Sequence, residues 1–60
     1  MLNKNYKIVN IKLDSCLFNG KKLHLVLFKN TVVFRSYDFE VVYSFYKDFK
    51  NLYKNYKILD

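Results

Sequence analysis

Residues 36–60 read SYDFEVVYSFYKDFKNLYKNYKILD and contain neither Gly nor Pro. At 100° per residue, apolar side chains recur on one side of this stretch at the spacing i, i+3, i+4, i+7, which is typical of an amphipathic helix. Ser36 or Asp38 can cap its first turn, since either side chain accepts a hydrogen bond from a free backbone N–H. We therefore predict one long C-terminal helix over residues 37–58. Its predicted core side carries Val42, Phe45, Phe49, Leu52 and Tyr56, with Tyr46 and Tyr53 along one edge.

In residues 6–18, apolar and often β-branched side chains recur at every second position. This period of two indicates a β-strand. Asp14-Ser15 weakens the alternation, and we expect a bulge or a kink there. Asn19-Gly20 follows directly. Both residue types tolerate a positive φ, which a type I′ turn needs at its two central positions. The sequence therefore predicts a β-hairpin centred on Asn19-Gly20.

Two further strands are predicted over residues 21–28 and 31–35. Lys29-Asn30 separates them and predicts a second tight turn, because Asn readily takes the left-handed conformation. The expected fold is α+β: a three-stranded antiparallel β-meander packed against one long C-terminal α-helix, in the order βββα. A three-stranded sheet needs such a covering layer to be stable. Sixty residues allow one domain, residues 1–60.

The second strand is apolar on both faces, and we expect its leucines to face the helix. The other face then forms a small exposed apolar patch, which is typical of a protein partner or of self-association. We therefore expect either a protein interface or a homodimer, through this face or through a sheet edge. The predicted inward residues are Leu23, Leu25 and Leu27, and the predicted interface residues are His24, Val26, Phe28 and Val33.

The chain carries a net charge of +6, with eleven basic and five acidic residues. A basic balance indicates an anionic partner such as DNA or RNA. The abundance of Lys, Asn and Tyr and the absence of Ala and Pro also follow AT-rich codons, so codon composition accounts for part of the lysine excess. The charge therefore favours nucleic-acid binding without establishing it.

The lysines of the predicted helix follow Tyr43 at steps of 4, 3, 4 and 3, which places them on one strip. Such a strip can run along a phosphate backbone, with Tyr46 or Tyr53 stacking on a base or donating to a phosphate. The alternative is a solvated surface that keeps a small protein soluble. The predicted binding residues are Tyr43, Lys47, Lys50, Lys54 and Lys57, joined by Lys21, Lys22 and Arg35 from the strands.

Catalytic and metal-binding motifs are missing from the sequence. His24 and Cys16 are the sole residues of their types, so a four-ligand zinc site cannot be built from them, and a single Gly excludes a glycine-rich phosphate loop. We predict no catalytic residues, no metal and no cofactor. The sequence has a lone Cys, no signal peptide and no apolar run long enough to span a bilayer. These features predict a cytoplasmic protein without membrane contact.

Two functions from different classes fit these features. The first is a small non-catalytic module that binds DNA, RNA or a nucleoprotein complex through a basic face. The order βββα resembles that of DNA-binding domains such as AP2-like domains and the N-terminal domains of some phage-type integrases, in element order and in no sequence motif. The second is a phage or mobile-element inhibitor of the anti-defence or anti-CRISPR type, which docks on a host enzyme or another nucleic-acid-binding host protein. The lysine spacing favours the first.

Overall fold

Four strands and one helix make up residues 7–59, the part of the chain that the computed structural model describes. In chain order they are β1 (Ile8–Phe18), β2 (Lys21–Phe28), β3 (Thr31–Ser36), α1 (Phe39–Leu52) and β4 (Lys57–Leu59). The sheet order is β3-β2-β1-β4, in which β2 is antiparallel to both β1 and β3, and β4 is parallel to β1. The predicted α+β class is confirmed, and the predicted order is extended by a fourth strand. Tyr6, the predicted first residue of the first strand, lies outside the described residues.

Both predicted turns are confirmed by the backbone conformation. Asn19 and Gly20 have φ values of 54° and 74°, and Lys29 and Asn30 have values of 53° and 67°. Two successive positive φ values are what a type I′ turn requires, and this turn matches the right-handed twist of the two strands that it joins. Lys29 takes this conformation although residues other than Gly, Asn and Asp rarely do.

The predicted irregularity at Asp14-Ser15 is wrong. The pairing of β1 with β2 runs without a register shift from Ile11 to Phe18. The Ser15 backbone N–H donates to Asp14 Oδ1 at 2.8 Å, so the local hydrogen bond forms without interrupting the strand. The bulge lies instead between β2 and β3, where the register shifts opposite Val26/Leu27 and leaves Val33 as the extra residue.

The helix begins at Phe39, two residues after the predicted start, behind one of the two expected cap residues, and it ends early. Asp38 Oδ1 accepts from the Glu40 backbone N–H at 3.0 Å, which caps the first turn. The helix stops at Leu52 rather than at residue 58. Residues 57–59 pair with residues 8–10 of β1 instead. The physical reason is that the free edge of β1 needs backbone partners, and the parallel strand β4 supplies them.

The core lies between α1 and one face of the sheet. Ile11, Val26 and Val42 are fully buried. Tyr46, predicted at the edge of the stripe, is a core residue at 8% exposure, whereas Leu52, predicted in the core, is 75% exposed. Leu52 lies about 80° around the helix from Val42 on the side of the edge strand β3, where the sheet ends. The same cluster contains Val9, Leu13, Phe28, Phe34, Phe45, Phe49, Tyr53, Tyr56 and Ile58. Leu23 is also buried, at 8% exposure, but lies outside this cluster.

The strand β2 presents to the helix the face opposite to the predicted one. The His24 ring lies 5.1 Å from the Phe39 ring, and the Phe28 ring lies 5.3 Å from the Phe49 ring. The exposed patch predicted from His24, Val26 and Phe28 is therefore wrong, because these side chains lie under α1. The register decides the matter: β1 brings Ile11 and Leu13 opposite Phe28 and Val26, so that these residues form one apolar layer. The fourth predicted interface residue, Val33, is 40% exposed at the bulge of the edge strand, and the leucines of β2 lie on the outer face.

Candidate nucleic-acid interface

One flank of α1 combines exposed aromatic rings with lysine side chains. We call Phe39, Tyr43, Lys47 and Lys50 the aromatic-basic flank. The spacing of four residues from Phe39 to Tyr43 to Lys47 places these three side chains one above the other along the helix. The flank lies away from β3, because the opposite side of α1 stacks on that strand. Two rings mark that contact, Phe45 and Phe34, whose centroids are 4.4 Å apart.

Aromatic stacking and cation–π contacts order this flank. The Phe39 and Tyr43 rings are 5.6 Å apart and within 17° of parallel. Lys47 Nζ lies 5.5 Å from the centre of the Tyr43 ring, and Lys50 Nζ lies 4.4 Å from the centre of the Tyr46 ring. Such contacts hold an ammonium group in place with about 0.5–1 kcal/mol at exposed sites. The two lysines are therefore partly ordered before any ligand arrives.

The rings of the flank remain accessible from solvent. Phe39 is 44% exposed and Tyr43 is 41% exposed. Lys47 is exposed as well, whereas Lys50 is half-buried against Tyr46. Aromatic area, tyrosine hydroxyl and positive charge are thus offered together on one surface. This combination suits a ligand that has both flat apolar groups and anionic groups.

One of the two hairpin lysines, Lys22, extends this surface at the start of α1. Lys22 and His24 lie on the same face of β2, two residues apart, which corresponds to about 7 Å. Because the His24 ring contacts Phe39, Lys22 lies near the start of the aromatic-basic flank. Lys21 points to the other face of the strand, and its Nζ lies 5.7 Å from the Tyr37 ring.

The last two lysines of the predicted strip leave the helix. Lys54 lies in the turn after Leu52, and Lys57 lies in β4, paired with Ile8. Both line a shallow concavity of about 470 Å³, together with Asn55 and Tyr56. The predicted strip is therefore two neighbouring groups: the flank on α1 and a lysine-lined concavity beyond its C-terminal end.

Besides Lys21, three of the predicted contributions do not reach this surface. Arg35 pairs with Leu25 and lies on the outer face of the sheet. Tyr46 is buried, and the Tyr53 ring lies 5.4 Å from Phe28 in the core, so neither ring offers a free face for a base. Phe39 is the residue that sequence reasoning missed. Its position four residues before Tyr43 was the available signal.

Residues 7–59 contain neither a metal-binding cluster of His, Cys, Asp or Glu nor a membrane-spanning helix. This part of the chain holds no group of three or more His, Cys, Asp or Glu side chains that is placed to bind a metal ion. Its helix is too short and too polar to cross a membrane.

Comparison with known proteins adds no relative from which a function can be transferred. The function of this chain therefore has to be inferred from its own geometry. No protein-family model, no curated protein and no solved structure matches this chain.

Proposed function

We propose that this protein is a small non-catalytic module that binds nucleic acid through the aromatic-basic flank of α1. One observation carries the proposal: two lysines of a single helix flank hold their ammonium groups over aromatic rings, beside the partly exposed rings of Phe39 and Tyr43. Scattered lysines would give the same net charge without this order.

The dimensions of the surface suit a phosphate backbone. A helix of 14 residues is about 21 Å long, and the phosphates of one strand follow one another at about 3.4 Å along a duplex axis. The flank, from Phe39 to Lys50, covers about 16 Å of this length and therefore spans roughly five phosphates of one strand. Lys22 at one end and Lys54 with Lys57 at the other extend the positive charge beyond the helix.

Exposed rings favour a single-stranded ligand over a duplex. In a duplex the bases are stacked on each other, whereas single-stranded bases can stack on Tyr43 or Phe39. Lys47 covers the Tyr43 ring in the free protein. A base that takes its place over the ring leaves the ammonium group free to contact the adjoining phosphate, so stacking and ion pairing occur at the same position.

The test is direct binding to labelled random-sequence single-stranded DNA, single-stranded RNA and duplex DNA, measured by fluorescence anisotropy over a range of salt concentrations. We expect binding at low salt, a steep loss of affinity as salt rises, and tighter binding of single strands than of the duplex. Absence of binding to all three ligands at about 50 mM salt, where phosphate contacts are strongest, would refute the proposal.

A second function, docking on a host protein, is favoured by one separate observation. The strand β3 forms an edge of the described sheet. Two exposed valines accompany this edge: Val33 on β3 is 40% exposed, and Val41 on α1 is 47% exposed. An extended segment of a partner can add to such an edge. The test is inhibition of a purified host nuclease. If the protein fails to bind nucleic acid but inhibits the nuclease, and if Val41→Lys abolishes this inhibition, the alternative replaces the first proposal.

A further inference from the structure

The sheet face turned away from α1 is apolar at its centre, and no other element of residues 7–59 covers it. The strand β2 contributes Leu23, Leu25 and Leu27 to this face, and β3 contributes Val32. Val32 is 44% exposed and Leu25 and Leu27 are half-buried, whereas Leu23 is already buried at 8% exposure, so Leu25, Leu27 and Val32 supply the accessible apolar surface. An apolar sheet face of this kind is stabilised when a second layer excludes water from it.

Two opposite charges flank this leucine column in one cross-strand row. Asp14 of β1 pairs with Leu25 of β2, and Leu25 pairs with Arg35 of β3. Both charged residues are exposed. Neighbouring strands lie about 4.8 Å apart, so the Asp14 and Arg35 backbones are separated by roughly 10 Å across the row. From β1 to β3 the row therefore carries a negative, an apolar and a positive side chain.

Such a row is complementary to itself under a twofold rotation about the direction of β2. The rotation stacks Leu25 on its own copy and places Asp14 opposite the Arg35 of the other copy, twice by symmetry. A twofold axis across the strands would instead bring each Asp14 close to its own copy. A self-complementary patch is what a twofold homodimer interface requires.

We propose that a second copy of this chain covers the outer face, so that the two sheets pack face to face around the leucine column of β2. The reciprocal Asp14–Arg35 pairs set the orientation of the two copies. Aligned sheets pack about 10 Å apart with their strands roughly 30° from parallel, which accommodates this arrangement. The helices lie on the two outer surfaces of the dimer, so both aromatic-basic flanks remain open.

The available area sets the strength of this dimer. Four strands and six residue rows cover roughly 400 Å² on each copy. With side-chain relief, the two faces together bury on the order of 1,000 Å² of accessible surface, at the lower end of specific interfaces. We therefore expect a concentration-dependent dimer in the micromolar range, which weakens as salt screens the two ion pairs.

Charge reversal tests the interface. In a dimer of the Asp14→Arg variant, each of the two charge pairs brings two arginines together. In a dimer of the Arg35→Asp variant, each pair brings two aspartates together. Each variant alone is expected to dimerise at least tenfold more weakly than the unmodified chain in sedimentation velocity. An equimolar mixture of the two variants is expected to restore dimers, because both pairs in the mixed dimer then join opposite charges.

Two further variants complete the design. Leu25→Lys is expected to be monomeric alone and in every mixture, and Leu52→Lys on α1 serves as the matched control that remains dimeric. Circular dichroism confirms that each variant is folded. Should Leu25→Lys fail to fold, the two reversals at exposed positions still decide the matter. A monomeric unmodified chain at about 100 µM, well above the range expected for an interface of this size, would refute the proposal, and so would a mixture that is no more dimeric than its components.

Discussion

The double substitution Lys47→Gln with Lys50→Gln tests whether the aromatic-basic flank is a binding surface or a solvated one. Glutamine keeps most of the side-chain stem and removes the charge. The net charge falls from +6 to +4, since two positive charges are lost. The matched control is Lys12→Gln with Lys29→Gln, which also leaves +4. Like the test pair, it joins a half-buried lysine, Lys12, with one whose ammonium lies over a ring, Lys29 at 5.3 Å from Phe28.

The size of the effect follows from counterion release. Each phosphate contact contributes about 0.7 to the slope of log affinity against log salt for a single strand, and about 0.9 for a duplex. Loss of two contacts should therefore lower the slope by about 1.4 or 1.8, respectively. At about 0.1 M salt the same loss corresponds to a roughly 25- to 60-fold weaker affinity. The control pair should leave the slope within experimental error of the unmodified chain.

The assay is fluorescence anisotropy of a labelled single strand, titrated with each variant at several salt concentrations. Thermal unfolding of each variant accompanies it, because loss of a cation–π contact costs about 0.5–1 kcal/mol of stability. Since test and control pairs both lose one such contact or more, a stability effect appears in both. Equal slopes for the two double variants would show that the lysines of α1 contribute only general charge, and the proposed function would then lose its structural basis.

Three further predictions concern the fold, each measured as the free energy of unfolding in urea followed by circular dichroism. Val42→Ala should cost about 1–3 kcal/mol because its side chain is fully buried, whereas Leu52→Ala should change stability by less than about 0.5 kcal/mol because the residue is 75% exposed; equal costs would mean that the helix packs on the stripe expected from its sequence. Asp38→Ala should cost about 1 kcal/mol through loss of the cap on Glu40, and Asp38→Asn should keep most of it; an unchanged stability in the alanine variant would show that the cap contributes nothing. Gly20→Ala should cost about 1–2 kcal/mol through its φ of 74° alone, since no atom lies within 4 Å of an added Cβ; a neutral result would mean that the turn relaxes.

The sequence by itself determined the local structure wherever backbone chemistry acts over a few residues. Asn19-Gly20 defines the first hairpin because few other residue pairs take two positive φ values easily. The predicted second strand, residues 21–28, has the observed bounds because a turn delimits each of its ends. Asp38 marks the start of the helix through a hydrogen bond to a residue two positions away.

Only the tertiary structure decided which faces and ends are used. The strand β2 is apolar on both sides, so its alternation cannot say which side meets the helix; the pairing with β1 decides it by bringing Ile11 and Leu13 into one layer with Val26. The helix could continue past Leu52 on periodicity alone, yet residues 57–59 gain more as a strand, because the edge of β1 offers backbone partners and Ile58 reaches the core. That early end divides the predicted lysine strip into the aromatic-basic flank and a separate concavity. The physical reason is common to all these cases: hydrogen bonds and buried contacts between distant segments outweigh local preferences that are nearly balanced.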